Sequence, residues 1–203
     1  MKWSDSGGGD FEQAPAGTHV ARCIKLLDLG TQFGEYQGKP NALRKVVISW
    51  ELPNEIMTEG DYAGKPFIVS KFYTASLGDK ANLRKDLVNW RGREFTEEEL
   101  AGFESKNILG KPCMVQITPN DKGKNRVTGV MALMKGTECP PQVNPPIYFS
   151  LEREEFDARV MESLSEYYQE LIKKSPEFEK LGNKPDPVSK GSDFDDFKDD
   201  IPF

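Results

Sequence analysis

Residues 45–52 read Lys-Val-Val-Ile-Ser-Trp-Glu-Leu. Val46, Ile48, Trp50 and Leu52 fall on one side of an extended chain, and Lys45, Val47, Ser49 and Glu51 on the other. That alternation has period 2, the signature of a half-buried β-strand, and it predicts a strand over residues 41–52. Working outward, residues 18–29 are apolar enough for a strand. Residues 67–74 are rich in β-branched and aromatic types, which suit a pleated surface. Between the first two strands, residues 30–40 read as a loop holding Phe33, Tyr36 and Lys39.

After residue 74 the period changes. Leu83, Leu87 and Trp90 stand at i, i+4 and i+7 of a helix that Asp79 can cap. Thr96-Glu97-Glu98-Glu99 is a capping box, with Phe95 and Leu100 at the staple positions on either side. Strands resume at 111–118 and 125–134, joined by the turn Pro119-Asn120-Asp121-Lys122-Gly123. The triplet Gly-Lys-Pro occurs at 38–40, 64–66 and 110–112, each time just before a predicted strand, where proline opens an extended segment. It lacks the spacing of a phosphate loop.

Residues 136–146 form a proline-rich connector. Ser150 then caps a predicted helix running to about Lys174. Glu152, Glu154 and Glu155 fill its first turn and Lys173 and Lys174 its last, as the macrodipole favours. Phe156, Val160, Leu164, Tyr167 and Leu171 make one apolar stripe. Beyond it the chain has too little apolar content to pack and reads as a disordered tail. The expected organisation is a flexible arm at 1–16, a body at 17–149 with a helical insertion at about 79–106, a C-terminal helix at 150–181, and a tail at 182–203. The fold class is mainly β with added helices. Five strands with a helix between the third and fourth is the order of the OB-fold, a five-stranded β-barrel that binds oligonucleotides.

The net charge is −6, but it is unevenly spread. Residues 1–149 carry 19 Lys and Arg against 18 Asp and Glu, and the rest carry 8 against 15. The acidity belongs to the C-terminal part, the pattern of an interaction tail on a different kind of domain. Cys23, Cys113 and Cys139 are odd in number and far apart, and His19 is the single histidine. Zinc and disulfides are therefore not expected, and a reducing compartment is. Residues 1–10 have no signal-peptide character, and no apolar run reaches the roughly 18 residues of a membrane span. A cytoplasmic protein with no membrane partner is expected. No nucleophile–base pair, carboxylate cluster or metal motif is visible, so no catalytic residue, metal or cofactor is expected.

Residues 193–203 read Asp-Phe-Asp-Asp-Phe-Lys-Asp-Asp-Ile-Pro-Phe. This segment resembles the C-terminal peptide of bacterial single-stranded-DNA-binding proteins, an acidic run followed by Ile-Pro-Phe, with Phe197 and Lys198 interrupting the run. The resemblance implies a docking segment for replication and repair proteins, made of Asp195, Asp196, Asp199, Asp200, Ile201, Pro202 and Phe203. Its physics is consistent: a partner pocket takes the Phe203 ring and Pro202, and the aspartates pair with a basic rim and speed encounter. The body is similar to a phage family of single-stranded-DNA-binding proteins. The residues that carry this are Tyr73-Thr74-Ala75-Ser76-Leu77-Gly78-Asp79-Lys80-Ala81-Asn82-Leu83-Arg84-Lys85-Asp86-Leu87, Trp90-Arg91-Gly92-Arg93 and Phe95–Leu100. That resemblance covers roughly residues 1–180.

Binding single strands without sequence preference needs a basic groove and aromatic faces for stacking. The candidates are places where the two types interleave. Lys71 and Tyr73 share a strand face with Phe67 and Val69. Phe33, Tyr36 and Lys39 lie in the first hairpin, and Lys122, Lys124 and Arg126 in the last; these are the gripping loops of an OB-fold. Arg44 and Lys45 open the second strand. Arg91 and Arg93 suit either phosphate contact or an ion pair with Glu97–Glu99. Trp50 and Trp90 read as core, and Trp3 sits in the arm as a mobile or stacking residue. The expected function is sequence-independent single-stranded-DNA binding in replication, recombination or repair. Two alternatives stand beside it. One is a protein whose acidic segment occupies host partner pockets without binding DNA. The other is a ring-forming strand-annealing protein. Homo-oligomerisation is compatible with each.

Overall fold

The computed structural model describes residues 12–182, so the expectations for Trp3 and for the acidic segment 193–203 lie outside the described residues. The fold is mainly β, with six strands: β1 Gly17–Tyr36, β2 Lys39–Ile56, β3 Pro66–Thr74, β4 Pro112–Pro119, β5 Asn125–Met131 and β6 Ile147–Phe149. The sheet order is β3-β2-β1-β4-β5, and every neighbouring pair on that path is antiparallel. Strand β6 runs parallel to β1 at residues 25–27. Two helices, α1 Asn82–Arg91 and α2 Glu97–Ala101, lie between β3 and β4. Three follow β6: α3 Ala158–Ser163, α4 Glu166–Lys173 and α5 Pro176–Gly182.

Strand β1 organises the sheet. One edge pairs with β2 along nearly its whole length. The other edge takes β4 at residues 17–22 and β6 at 25–27. Register shifts in its ladder with β2, between Cys23 and Lys25 and between Asp28 and Gly30, bend the strand and let the sheet curl. The curl brings the end strands together, and Lys71 Nζ on β3 donates to Thr128 O on β5 at 3.2 Å. No ladder joins β3 to β5 among the described residues.

The first hairpin departs from the expected loop at 30–40. The ladder continues to Tyr36↔Lys39, leaving Gln37 and Gly38 as a two-residue turn. Both have positive φ, 53° and 74°, as a turn matched to strand twist requires. Phe33 and Lys39 therefore stand on a two-stranded ribbon.

The alternation at 45–52 places its faces as expected, but both are buried. Ile48, Trp50 and Leu52 join Cys23, Leu26, Phe67, Tyr73, Leu87, Trp90, Val115 and Ile117 inside the curled sheet. The Trp50 and Trp90 rings lie 6.1 Å apart. On the outer face Val47 joins Leu27, Leu29, Phe149, Leu151, Met161, Leu164 and Ile172 in a second core. Ser49 and Glu51, expected on the polar side, are buried as well. Ser49 bonds Ser70 across the sheet at 2.8 Å. The Glu51 carboxylate accepts from Val143 N, Asn144 N and Asn144 Nδ2 at 2.8, 2.8 and 2.6 Å. Its β1 partner Arg22 donates to Gly110 O, Cys139 O and Pro140 O. This opposed pair straps the proline-rich connector over the sheet.

The insertion matches its local signals, with one exception. Thr96 and Glu99 form both arms of the capping box, and Leu87 and Trp90 are buried. Asp79 does not cap α1; Ala81 occupies the N-cap and Asp79 pairs with Arg84 instead. Phe95 packs edge-on against Phe103 at 5.2 Å, while Leu100 is exposed.

The single C-terminal helix expected at 150–181 is instead α3, α4 and α5. Leu164 and Ser165 are extended, and Ser165 is the N-cap of α4. Pro176 opens α5, where a missing N–H costs nothing. Ser150 makes a local turn by accepting from Glu152 N. Helix α5 docks at Gly30, whose φ is +69° and where an added Cβ would fall 2.4 Å from Ser175 Cβ. Next to it, Thr31 donates through N and Oγ1 to the Glu177 carboxylate at 2.8 and 2.6 Å.

Replacing Glu51 with alanine removes a buried carboxylate that accepts three hydrogen bonds from the connector, so E51A should lower the urea-unfolding free energy by about 3 kcal/mol, against about 1 kcal/mol for S49A. Equal effects would mean that the connector is not held by Glu51. Gly30→Ala adds a clash to a left-handed backbone and should loosen α5, read as faster hydrogen exchange at residues 176–182 than in the wild type.

Candidate functional site

The structure divides the sequence-predicted residues into three groups. The first is locked into the body. Tyr73 is 3% exposed and donates to Asp86 at 2.7 Å. Burial first, and the Asp86 charge second, push its hydroxyl well above the usual phenol range. A ring so placed is core and offers no stacking face, so this candidate is corrected. Its strand partner Phe67 is core too. Lys71 lies on the same inward side at the β3–β5 seam, paired with Asp86 at 2.6 Å. Arg44 donates to Asp28 through Nε and Nη2 at 3.2 and 2.5 Å, and that bond raises its pKa further. Arg91 and Arg93 both pair with Glu99. Arg91 also lies over the Phe95 ring, 4.2 Å from its centroid. For this pair the structural ion pair is the arrangement observed.

The second group is on the two hairpins. Phe33 is 71% exposed on the β1–β2 ribbon. Lys39 is exposed at its tip, next to Gly38. Tyr36 pairs through its backbone with Lys39. On the β4–β5 hairpin Lys122, Lys124 and Arg126 are exposed. Asn120 shapes that turn by accepting from the backbone of both lysines at 2.9 Å. Since β4 pairs with the N-terminal part of β1, the two hairpins leave opposite ends of β1.

The third is Lys45 alone, which with Phe72, Thr74, Ser76, Lys80 and Asn82 lines a groove of about 740 Å³ whose wall Lys71 and Tyr73 of the first group also reach. Lys45 Nζ donates to Thr74 Oγ1 at 3.0 Å. Phe72 was not among the predicted residues, yet it is 46% exposed on the outer face of β3. The period-2 alternation separates Ile68, Ser70, Phe72 and Thr74 from Phe67, Val69, Lys71 and Tyr73, and the outer face is the one that carries Phe72. Tyr167, expected in the apolar stripe, is 59% exposed beside Phe72.

His19, read as structural, bridges Glu55 and Pro15 O, each at 2.9 Å. Glu12 accepts from Thr58 N, Thr58 Oγ1 and Glu59 N, and Asn125 holds Gln13 and Ala14. Residues 12–15, expected in the flexible arm, are thus pinned beside the β4–β5 hairpin. The three cysteines are not activated: burial pushes the Cys23 thiol up to about 12 and raises Cys113 and Cys139. Among the described residues no group of three His, Cys, Asp or Glu is placed to hold a metal ion. No described helix is long and apolar enough to cross a membrane.

Glu99 gives this region its pH dependence. Arg93 first, then the Thr96 N–H, draw its carboxyl from 4.5 down to about 2. A depressed folded-state pKa contributes stability in full above the ordinary carboxyl value and loses it as pH falls toward the folded value. The Tm gap between wild type and E99Q should therefore stay constant from pH 8 to about 5 and close between about 4.5 and 2. A gap that instead closes near neutrality would remove Glu99 as its source.

Compared with known proteins, the chain matches no family model and no curated protein.

Proposed function

We propose that the chain binds single-stranded DNA without sequence preference in replication, recombination or repair, and that residues 193–203 recruit partner proteins. The observation that carries this reading is the β4–β5 hairpin. Lys122, Lys124 and Arg126 are exposed there and make no ion pair among the described residues. A nearly neutral body needs its charges segregated to hold a polyanion. Here many acids are spent internally, Asp28 on Arg44, Asp86 on Lys71 and Glu99 on Arg91 and Arg93. The hairpin cations are left for phosphate, which dominates affinity for nucleic acid.

The architecture supports the same reading. The strand order β3-β2-β1-β4-β5, with β3 and β5 side by side and helices between β3 and β4, matches the order expected of an OB-fold and supports that reading. In such a barrel the strand 1–2 and strand 4–5 hairpins grip the ligand, and these two hairpins carry Phe33, Lys39, Lys122, Lys124 and Arg126. The segment 193–203 combines Asp199 and Asp200 with Ile201, Pro202 and Phe203, which suits a small apolar pocket with a basic rim. The chemistry is binding alone, with no cofactor.

One observation favours the second reading, a protein that occupies partner pockets through its acidic segment. The connector and helices α3–α5 cover the outer face of β1 and β2, which narrows the surface open to a strand. Titration with an oligo-dT of about 30 nucleotides separates the two. The full chain should bind, with affinity falling as salt rises, and removal of residues 193–203 should strengthen binding. The triple variant K122A/K124A/R126A should lower the log–log salt slope by about 2, as three lost contacts to single strands imply. No binding at low salt by either length of chain would overturn DNA binding and leave the partner-pocket reading.

A further inference from the structure

We propose that Phe72 on β3 and Tyr167 on α4, flanked by Lys45 and Lys80, form a stacking subsite for unpaired bases, separate from the two hairpins. This rests on the single-strand reading above and names a binding surface within it. The surface is assembled from two distant parts of the chain, and neither hairpin contributes to it.

The geometry starts with strand parity. In the β2–β3 ladder Val47 pairs with Phe72 and Lys45 with Thr74, so all four side chains lie on the outer face. Val47 is sealed under the second core, but Phe72, one strand nearer the edge, is left half in solvent. Helix α4 stops short of covering it. Its Ile172 is wholly buried in that core, and Gln32 Nε2 donates to Leu171 O at 2.9 Å, so the helix is held firmly against β1. Tyr168 turns inward and meets Phe72 at 6.3 Å. Tyr167 turns outward and meets Phe72 at 6.5 Å with the ring planes at 78°. Tyr167 and Tyr168 are 5.5 Å apart. Rings set edge to face leave a ring face free, and these rings are already fixed by their neighbours. Little rotamer entropy is then lost when a flat partner stacks on them.

Charge selects the partner. Lys45 stands one residue pair along the same face, and Lys80 is exposed across the groove of about 740 Å³ that Phe72 lines. Of the nearby acids, Asp79 on that rim pairs with Arg84 at 2.5 Å while staying exposed, Asp86 beneath it is held by Lys71, and Glu166 beside Tyr167 is exposed on the α4 side. Exposed aromatic faces with Lys45 and Lys80 beside them suit a ligand that has a flat apolar part and an anionic backbone. Single-stranded nucleic acid is that ligand: bases stack on rings and phosphates follow lysines. An acidic peptide would use the cations but would gain less from open ring faces.

The test uses the full chain and two dye-labelled oligomers of equal length, oligo-dT and its abasic counterpart, followed by fluorescence anisotropy. Phe72→Leu keeps an apolar side chain against Tyr168, and Tyr167→Ala changes only an exposed position on α4; circular dichroism confirms that both fold. Wild type should bind oligo-dT at least about tenfold more tightly than the abasic oligomer. Each variant should lose about five- to tenfold on oligo-dT and nothing on the abasic oligomer. Lys80→Ala should weaken both oligomers alike. If wild type binds oligo-dT and neither aromatic variant changes it, the subsite is overturned while the single-strand reading stands; a patch that serves a protein partner gives this result. Equal loss on both oligomers would overturn stacking in favour of a structural role. If wild type binds neither oligomer, the single-strand reading fails and the subsite falls with it.

Discussion

Strand β1 is covered on both faces, and much of the molecule follows from that. Its inward residues Cys23 and Leu26 close the space inside the sheet, while Leu27 and Leu29 point outward and are equally apolar. A curled sheet can bury only one of its faces on itself. The other needs further chain, and β6, the connector and helices α3–α5 supply it. An outer layer of this kind removes apolar surface from water at roughly 25 cal/mol per Å², so the C-terminal part is a component of the fold rather than an appendage. The polar residues caught beneath it, Glu51 and Arg22, are tolerated because each finds backbone partners in the connector itself.

The same constraint leads to the candidate site. Covering β1 and β2 leaves β3 and the hairpins as the open part of the sheet. The hairpins present cations, and the border between β3 and α4 presents rings. The internal acids pair with internal cations, which separates two charge populations within a body of almost zero net charge. One holds the structure together and the other is free to meet a ligand.

Local signals were legible in the sequence. The capping box at Thr96, the spacing of Leu83, Leu87 and Trp90, and the alternation at residues 45–52 each act over a few residues, and each yields its element. Long-range effects were not legible. Glu51 looks like a solvent-face residue because the connector that covers it arrives about 90 residues later. The helix expected over 150–174 breaks where Ser165 caps a new turn and Pro176 begins another, since a continuous apolar stripe says nothing about which turns are interrupted. The site shows the same division. Exposed hairpin lysines could be read from turn chemistry. The capture of Lys71 and Tyr73 by Asp86, or of Arg44 by Asp28, depends on elements meeting in space. Phe72 gives no such signal in the sequence, because which face of β3 is covered depends on the distant helices α3–α5.

The seam between β3 and β5 carries one more consequence. Two strand edges run side by side there without a ladder, bridged by Lys71. An unpaired edge is normally a template on which another chain can add a strand. Here each edge stands in front of the other, and a lysine at the join puts a charge where an incoming strand would have to lie flat. The gap that leaves the sheet open as a ladder thus also protects the protein, at high concentration, from associating with itself through its edges.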